Sequence, residues 1–223
     1  MALKVALITG SGKDRVGSHV ADALAERGYT IVIHYRSSAA EAEERVAGYR
    51  ARGIDAMGLQ ADLSDEGAVR TMIEAVLKKY ERLDVLVNTA GRWKSKKLEE
   101  ITAEDVRTHF ETNTLGTFIC SQQAGLAMVR QPEGGSIITF GDWAVRRPYL
   151  NYAAYFPSKG AIPALTRTLA VELGARNPRI RVNCILPGPV LLPIDLPQAE
   201  REEAIDATLV RREGHPKNIA QAV

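Results

Sequence analysis

The chain has 223 residues, 45% hydrophobic and 25% charged, with a formal net charge of +2. That length suits one large domain with its own core, and the even mix of signs gives no footing for nucleic acid or an acidic membrane surface. No apolar run reaches the roughly 18 residues that a membrane-spanning helix needs, and the two cysteines, Cys120 and Cys184, make no disulfide framework.

Along the chain one grammar repeats: a short run rich in Val, Ile and Leu, then a longer charged segment of helical period. The opening run, KVALIT (4–9), reads as a strand and not as a signal peptide, so the expected location is a reducing cytoplasm. Next, Gly10, Gly12 and Gly17 of TGSGKDRVG (9–17) bracket a turn into a helix over 17–28. Backbone N–H groups and the helix dipole can hold a pyrophosphate there, although the spacing departs from G-x-G-x-x-G.

The second run, TIVIHY (30–35), ends in HYRSS. An NAD-specific site carries an acid near this point, which accepts from the ribose 2′-hydroxyl. Here stand Arg36, Ser37 and Ser38 instead, with Arg15 reaching in from the first loop. Two guanidiniums and hydroxyls suit a 2′-phosphate, so the expected cofactor is NADPH. Ser38 also has capping-box spacing to Glu41, at the head of a helix over 38–52. The third run, AMGLQADL (56–63), puts Asp62 beside the adenine, and Ser64-Asp65-Glu66 starts a helix over 65–80.

The remaining runs are LDVLVNTA (83–90), SIITFG (136–141) and RIRVNCIL (179–186), with helices over 102–131 and 152–176 and a weaker pattern over 198–213. Near-continuous apolar strands are buried on both faces, which means a parallel sheet covered by helices. Strand and helix alternate without a linker, so the expected fold is one doubly wound α/β Rossmann-type domain over 1–223. Such a sheet binds ligands beyond the carboxyl ends of its strands, here 9–17, 34–38, 61–63, 88–94, 139–143 and 187–194.

Tyr155 and Lys159 stand at i and i+4 on a helical face. Reduction of a carbonyl or imine needs a proton donor, and a phenol with a pKa near 10 needs a nearby cation to take part. Lys159 is placed to supply it and to grip the nicotinamide ribose. Asp142 lies thirteen residues before Tyr155. The four histidines show no metal-ligand spacing, so no metal is expected.

TGSGKDRVG, NTAG (88–91), Asn113 in ETNTLG, Tyr155-x-x-x-Lys159 and Pro187-Gly188 occur in order, each at a predicted sheet edge. Together they resemble the short-chain dehydrogenase/reductase family, from residue 3 to the end. The resemblance implies a cofactor cleft built from Gly10, Arg15, Val16, Gly17, Tyr35, Arg36, Ser37, Asp62, Leu63, Asn88, Ala90, Gly91, Pro187 and Gly188, with Tyr155 and Lys159. It also implies that Asn113 holds a water linking Lys159 to solvent. Where the family carries a catalytic serine this chain has Asp142, and Arg15 stands where many members have a second glycine. Both features resemble the pteridine and dihydromonapterin reductases, a branch in which an aromatic residue at the position of Trp93 stacks on the pterin.

Asp142 is accordingly read as a proton-relaying acid, against a helix cap or a degenerate site, and Trp93 as a stacking residue, against a lid or subunit contact. The basic run RWKSKK (92–97) reads as a solvated loop, against steering of an anionic substrate, while VLLPIDLP (190–197) is left as pocket lining or lid. The expected activity is NADPH-dependent reduction of C=N or C=O, with a dihydropterin as leading substrate. The alternatives are a general carbonyl or 3-oxoacyl-carrier-protein reductase, and a non-catalytic NADP-binding sensor or scaffold. The resemblance also implies a homotetramer or homodimer built through helices 102–131 and 152–176, with Cys120 in the interface or core. It places a further helix and strand beyond GHPKNIAQAV, so that a sheet without them would have an exposed edge. Truncation is the expectation there, over a functional six-stranded variant.

Overall fold

The computed structural model describes residues 4–192 and 196–223. Its centre is a six-stranded sheet in the order β3-β2-β1-β4-β5-β6, every neighbouring pair parallel. The strands are β1 (Val5–Thr9), β2 (Thr30–Tyr35), β3 (Ala56–Gln60), β4 (Val85–Asn88), β5 (Gly135–Phe140) and β6 (Ile180–Ile185). Alternate side chains feed two cores, as the period of two requires. Val5 and Leu7 join one cluster with Val32, Leu86, Ile137, Cys120 and Leu169; Ala6 and Ile8 join the other with Ile31, Ile33, Val87, Val20 and Ile219. Burial on both faces explains why β1, β2 and β4 carry no polar alternation; the edge strands β3 and β6 alternate buried with more open positions, Arg181 and Asn183 among them.

Helices α1 (Val16–Glu26), α2 (Ala39–Ala51) and α8 (Pro216–Ala222) cover one face; α3 (Glu66–Tyr80), α5 (Gly116–Val129) and α6 (Tyr155–Gly174) cover the other. The single helix expected over 102–131 comprises three contiguous parts: α4 (Ala103–His109), a π-helical stretch Phe110–Leu115, and α5. Cys120 is fully buried in the core. The pattern over 198–213 yields only α7 (Gln198–Asp206), which has no buried residue to anchor a longer helix. Sequence patterning left α8 unmarked; His215 caps it, its Nδ1 accepting from Lys217 N at 3.1 Å.

Three local expectations are corrected. Ser38 sits at the N-cap of α2 but makes no capping bond, and Glu41 pairs with Lys13 at 3.6 Å. Asp65, not Ser64, caps α3, accepting from the amides of Gly67 and Ala68 at 2.8 and 3.1 Å. Third, β3 ends at Gln60 and β4 at Asn88, so Ala61–Leu63 and Thr89–Gly91 lie beyond the sheet, on its ligand-facing edge.

Candidate active site

One continuous cleft of about 1960 Å³ runs along the carboxyl ends of the strands. Its phosphate end is the β1–α1 turn. Gly10 has φ +66°, and a side chain there would come within 2.8 Å of the Ala90 backbone. A side chain on Gly17 would collide with the Thr89 hydroxyl, so the turn lies directly against the end of β4. Thr89 Oγ1 bonds the Thr9 carbonyl, and Ala90 N donates to Thr9 Oγ1 at 3.1 Å. Lys13, Arg15, Val16, Tyr35, Arg36, Ser37, Asp62 and Leu63 line this half of the cleft. Among the described residues neither Arg15 nor Arg36 has an ion-pair partner. Bonds from the hydroxyl and amide of Ser64 hold the Asp62 carboxyl below its ordinary value, with Arg36 adding to the effect.

The chemical end lies where β5 stops. Asp142 follows that strand, and its Oδ1 accepts from Ala144 N at 2.8 Å, capping a 3-10 turn over Trp143–Arg146. Its Oδ2 accepts from the Tyr155 hydroxyl at 2.7 Å. Tyr155 opens α6; one turn on, Lys159 donates from Nζ to the Phe140 carbonyl at 2.8 Å. Burial raises the Asp142 carboxyl, opposed by its bonds to Tyr155 and Ala144 and by Lys159. Burial first, and then the charge of Asp142, push the Tyr155 phenol far above its ordinary value. Burial lowers Lys159 to about 8, opposed by Asp142. In the resting arrangement, therefore, the expected neutralisation of the phenol by Lys159 gives way to an acid–phenol pair. The ammonium is bonded to a backbone carbonyl instead, and the group bonded to the phenol is the Asp142 carboxyl.

Beside this pair stands an aromatic wall. Trp93 stacks on Tyr152 with centroids 5.0 Å apart and planes 16° from parallel, and its indole remains 42% exposed. Tyr149 packs edge-on to Tyr152 and Phe156; burial raises its phenol to about 12.

The family model described as enoyl-(acyl carrier protein) reductase matches residues 12–223. The chain belongs to the short-chain dehydrogenase/reductase family. It is 36% identical over 225 residues to an uncharacterized oxidoreductase of Methylorubrum extorquens, covering 99% of this chain and 88% of that one. It is 33% identical over 224 residues to a 3-oxoacyl-[acyl-carrier-protein] reductase of Staphylococcus aureus, covering 99% and 89%. A short-chain dehydrogenase from Burkholderia cenocepacia, solved in complex with NADP, superposes with a TM-score of 0.88 at 31% identity, covering 98% and 88%. The protein is an oxidoreductase of this family, and its named relatives include 3-oxoacyl-[acyl-carrier-protein] and versicolorin reductases.

Most residues expected of a short-chain dehydrogenase/reductase cleft converge: Gly10, Arg15, Val16, Gly17, Tyr35, Arg36, Ser37, Asp62, Leu63, Ala90, Gly91, Trp93, Asp142, Tyr155, Lys159, Pro187 and Gly188 all line it. Asn88 does not. It ends β4 pointing into the core, where its Nδ2 donates to Ser121 Oγ at 3.1 Å, so it braces α5 behind the cleft. Asn113 is also fully buried behind the lining, in the π-helical stretch. Its amide clamps the backbone after β4, accepting from Arg92 N at 2.7 Å and donating to Arg92 O at 3.0 Å and Ser158 Oγ at 2.9 Å. Its carbonyl accepts from Thr117 Oγ1 at 2.7 Å. Gly91 lies between Asn113 and Lys159; a Cβ there would sit 3.3 Å from one and 3.5 Å from the other.

Of the basic run, Lys96 pairs with Asp105 at 2.7 Å, whereas Arg92 and Lys94 line the cleft. Val190, Leu191, Leu192, Leu196 and Pro197 line it too; Pro193, Ile194 and Asp195 lie outside the described residues. Sequence reasoning missed Tyr149 and Tyr152, and placed Thr89 and His34 only within the segments 88–94 and 34–38 without a role of their own. A signal existed for Tyr152, at i−3 from Tyr155 and so on its side of the chain. Among the described residues no helix is long and apolar enough to cross a membrane, and no group of three His, Cys, Asp or Glu is placed to hold a metal.

Proposed function

We propose that this enzyme uses NADPH to reduce a carbonyl carbon of a small substrate, with Tyr155 as the proton donor and Asp142 as the group that resupplies it. The observation that carries this reading is the 2.7 Å hydrogen bond from Tyr155 to a half-buried carboxyl in the cleft. The cleft has features that fit the cofactor. The first-turn amides of Val16 and Gly17 suit its pyrophosphate, Arg15, Arg36 and Ser37 suit its 2′-phosphate, and no acid stands at the end of β2. A relative solved with NADP supports the same assignment. Bound there, NADPH supplies the hydride.

The rest is the work of the chain's own groups. As negative charge develops on the substrate oxygen, the Tyr155 hydroxyl transfers its proton there. The protonated Asp142 carboxyl passes its own proton to the Tyr155 oxygen, so the phenol is restored and the carboxylate is left, to be reprotonated from solvent. Burial favours this starting state, because it raises the carboxyl above its ordinary range. The Lys159 ammonium, fixed on Phe140 O, offsets the negative charge as the carboxylate forms. Asn113 holds the Arg92 backbone and thereby the wall on which substrate rests.

A second reading, reduction of a dihydropterin C=N, is favoured by Trp93. Its indole is backed by Tyr152 and half open to the cleft, a ledge for a flat ring. We propose further that the enzyme assembles as a dimer or tetramer through the apolar groove of Phe110, Leu115, Phe118 and Leu165; a monomer by light scattering would exclude this. NADPH oxidation against a 3-oxoacyl thioester, a small diketone and a dihydropterin tests the activity. Turnover of a carbonyl substrate that vanishes in Tyr155→Phe is the expected result. Turnover of the dihydropterin alone would select the second reading, and tight NADPH binding without any turnover would overturn both in favour of a sensor.

A further inference from the structure

We infer that His34 is a positioning residue for the dinucleotide: its imidazole clasps the glycine turn after β1 to the chain leaving β3, fixing the two edges of the adenosine half of the cleft relative to each other. The inference rests on the cofactor reading above. His34 lies near the end of β2, between those two edges, and is 2% exposed. Its Nδ1 accepts from Gly10 N at 3.0 Å, and its Nε2 lies 3.1 Å from the Ala61 carbonyl, which can only accept. The ring is thus neutral with its proton on Nε2, a state that burial favours by lowering its pKa to about 4, opposed by the bond to the Ala61 carbonyl and by Asp62.

The geometry has a reason. Here β1 and β3 have ended, so without His34 the half-buried Gly10 N–H and the buried Ala61 C=O would lack these partners. One imidazole satisfies both. The His34 carbonyl also accepts from Ser11 N at 3.1 Å, so this residue holds two successive amides of the turn. Those amides face inward, which leaves the first-turn amides of α1 as donors to the pyrophosphate. The turn and the Ala61–Leu63 segment both line the cofactor half of the cleft. Fixing their separation preorganises the site without touching the reacting atoms.

The test compares His34→Leu, which removes both bonds, with His34→Gln, whose amide can accept from Gly10 and donate toward Ala61. NADPH affinity by fluorescence titration is expected to fall about tenfold or more in His34→Leu, to return most of the way in His34→Gln, and to change while kcat at saturating NADPH stays within about twofold. A folded His34→Leu protein that binds NADPH like the wild type overturns the inference alone. Wild-type protein that binds no NADPH overturns the cofactor reading and this inference with it. Should His34→Leu fail to fold, nitrogen NMR of wild-type protein decides: an imidazole protonated on Nε2 and a Gly10 amide protected from exchange are expected, and a proton on Nδ1 or a freely exchanging amide overturns the clasp.

Discussion

Replacing Lys159 with Met isolates the consequence of enclosing an ammonium beside the reaction site. The side chain is 8% exposed, with Nζ bonded to the Phe140 carbonyl, and burial takes its pKa from 10.5 to about 8. That fall corresponds to about 3 kcal/mol of folding free energy. Its sign follows from proton binding. Between pH 8 and 10.5 the unfolded chain binds a proton that the folded one has released, so stability rises with pH across that window. Below pH 8 both states carry the charge, and the destabilisation is present in full. Lys159→Met keeps an unbranched apolar stem and removes the titration. Urea unfolding of both proteins without cofactor, at several pH values from 7 to above 10.5, gives the difference in stability. Groups common to both proteins cancel in it. The wild type is expected to gain about 3 kcal/mol on the variant across the window, at up to about 1.4 kcal/mol per pH unit. A difference that stays constant with pH would refute the claim that the ammonium is held in a low-dielectric site.

Two further predictions concern the phosphate end. Wild-type protein should bind NADPH at least about tenfold more tightly than NADH, and Arg36→Glu should abolish or reverse that preference; equal affinities in the wild type would remove the 2′-phosphate argument. Gly17→Ala should abolish cofactor binding and lower stability by about 1–3 kcal/mol, because the new methyl would strike the Thr89 hydroxyl that ties β4 to β1. Titration and thermal melting check it, and a variant that binds and melts like the wild type would contradict the close packing of the turn.

The layered sheet was legible because strands buried on both faces leave an unbroken apolar run, and because chemistry collects where those runs stop. Arg36, Ser37, Asp62 and Asp142 could be placed by that rule alone. Asn88 obeyed the rule and still missed the cleft, since alternation along β4 turns its side chain toward Ser121. The spacing of Tyr155 and Lys159 brings them to one side of α6, but spacing says nothing of the Phe140 carbonyl that takes the ammonium. For Asp142, cap and acid stood as alternatives; one carboxyl oxygen does cap the turn at Ala144 N, and the other holds the Tyr155 hydroxyl, so the cap does not exclude the acid role proposed above. The role of His34 was invisible because its partners are 24 and 27 residues away, and no local pattern marks a ring that stitches three strand ends.

The most direct test of the proton pathway is single-turnover NADPH oxidation by wild type and Asp142→Ser across pH, with a carbonyl substrate that the wild type reduces. The Asp142 carboxyl is raised by burial, so wild-type rates should be highest on the acid side and fall as pH rises through that pKa. Asp142→Ser should be slower by about tenfold or more at neutral pH and should lose that limb of the profile. A variant with the wild-type rate and the wild-type pH profile would contradict the account, leaving Tyr155 without the acid assigned to resupply it.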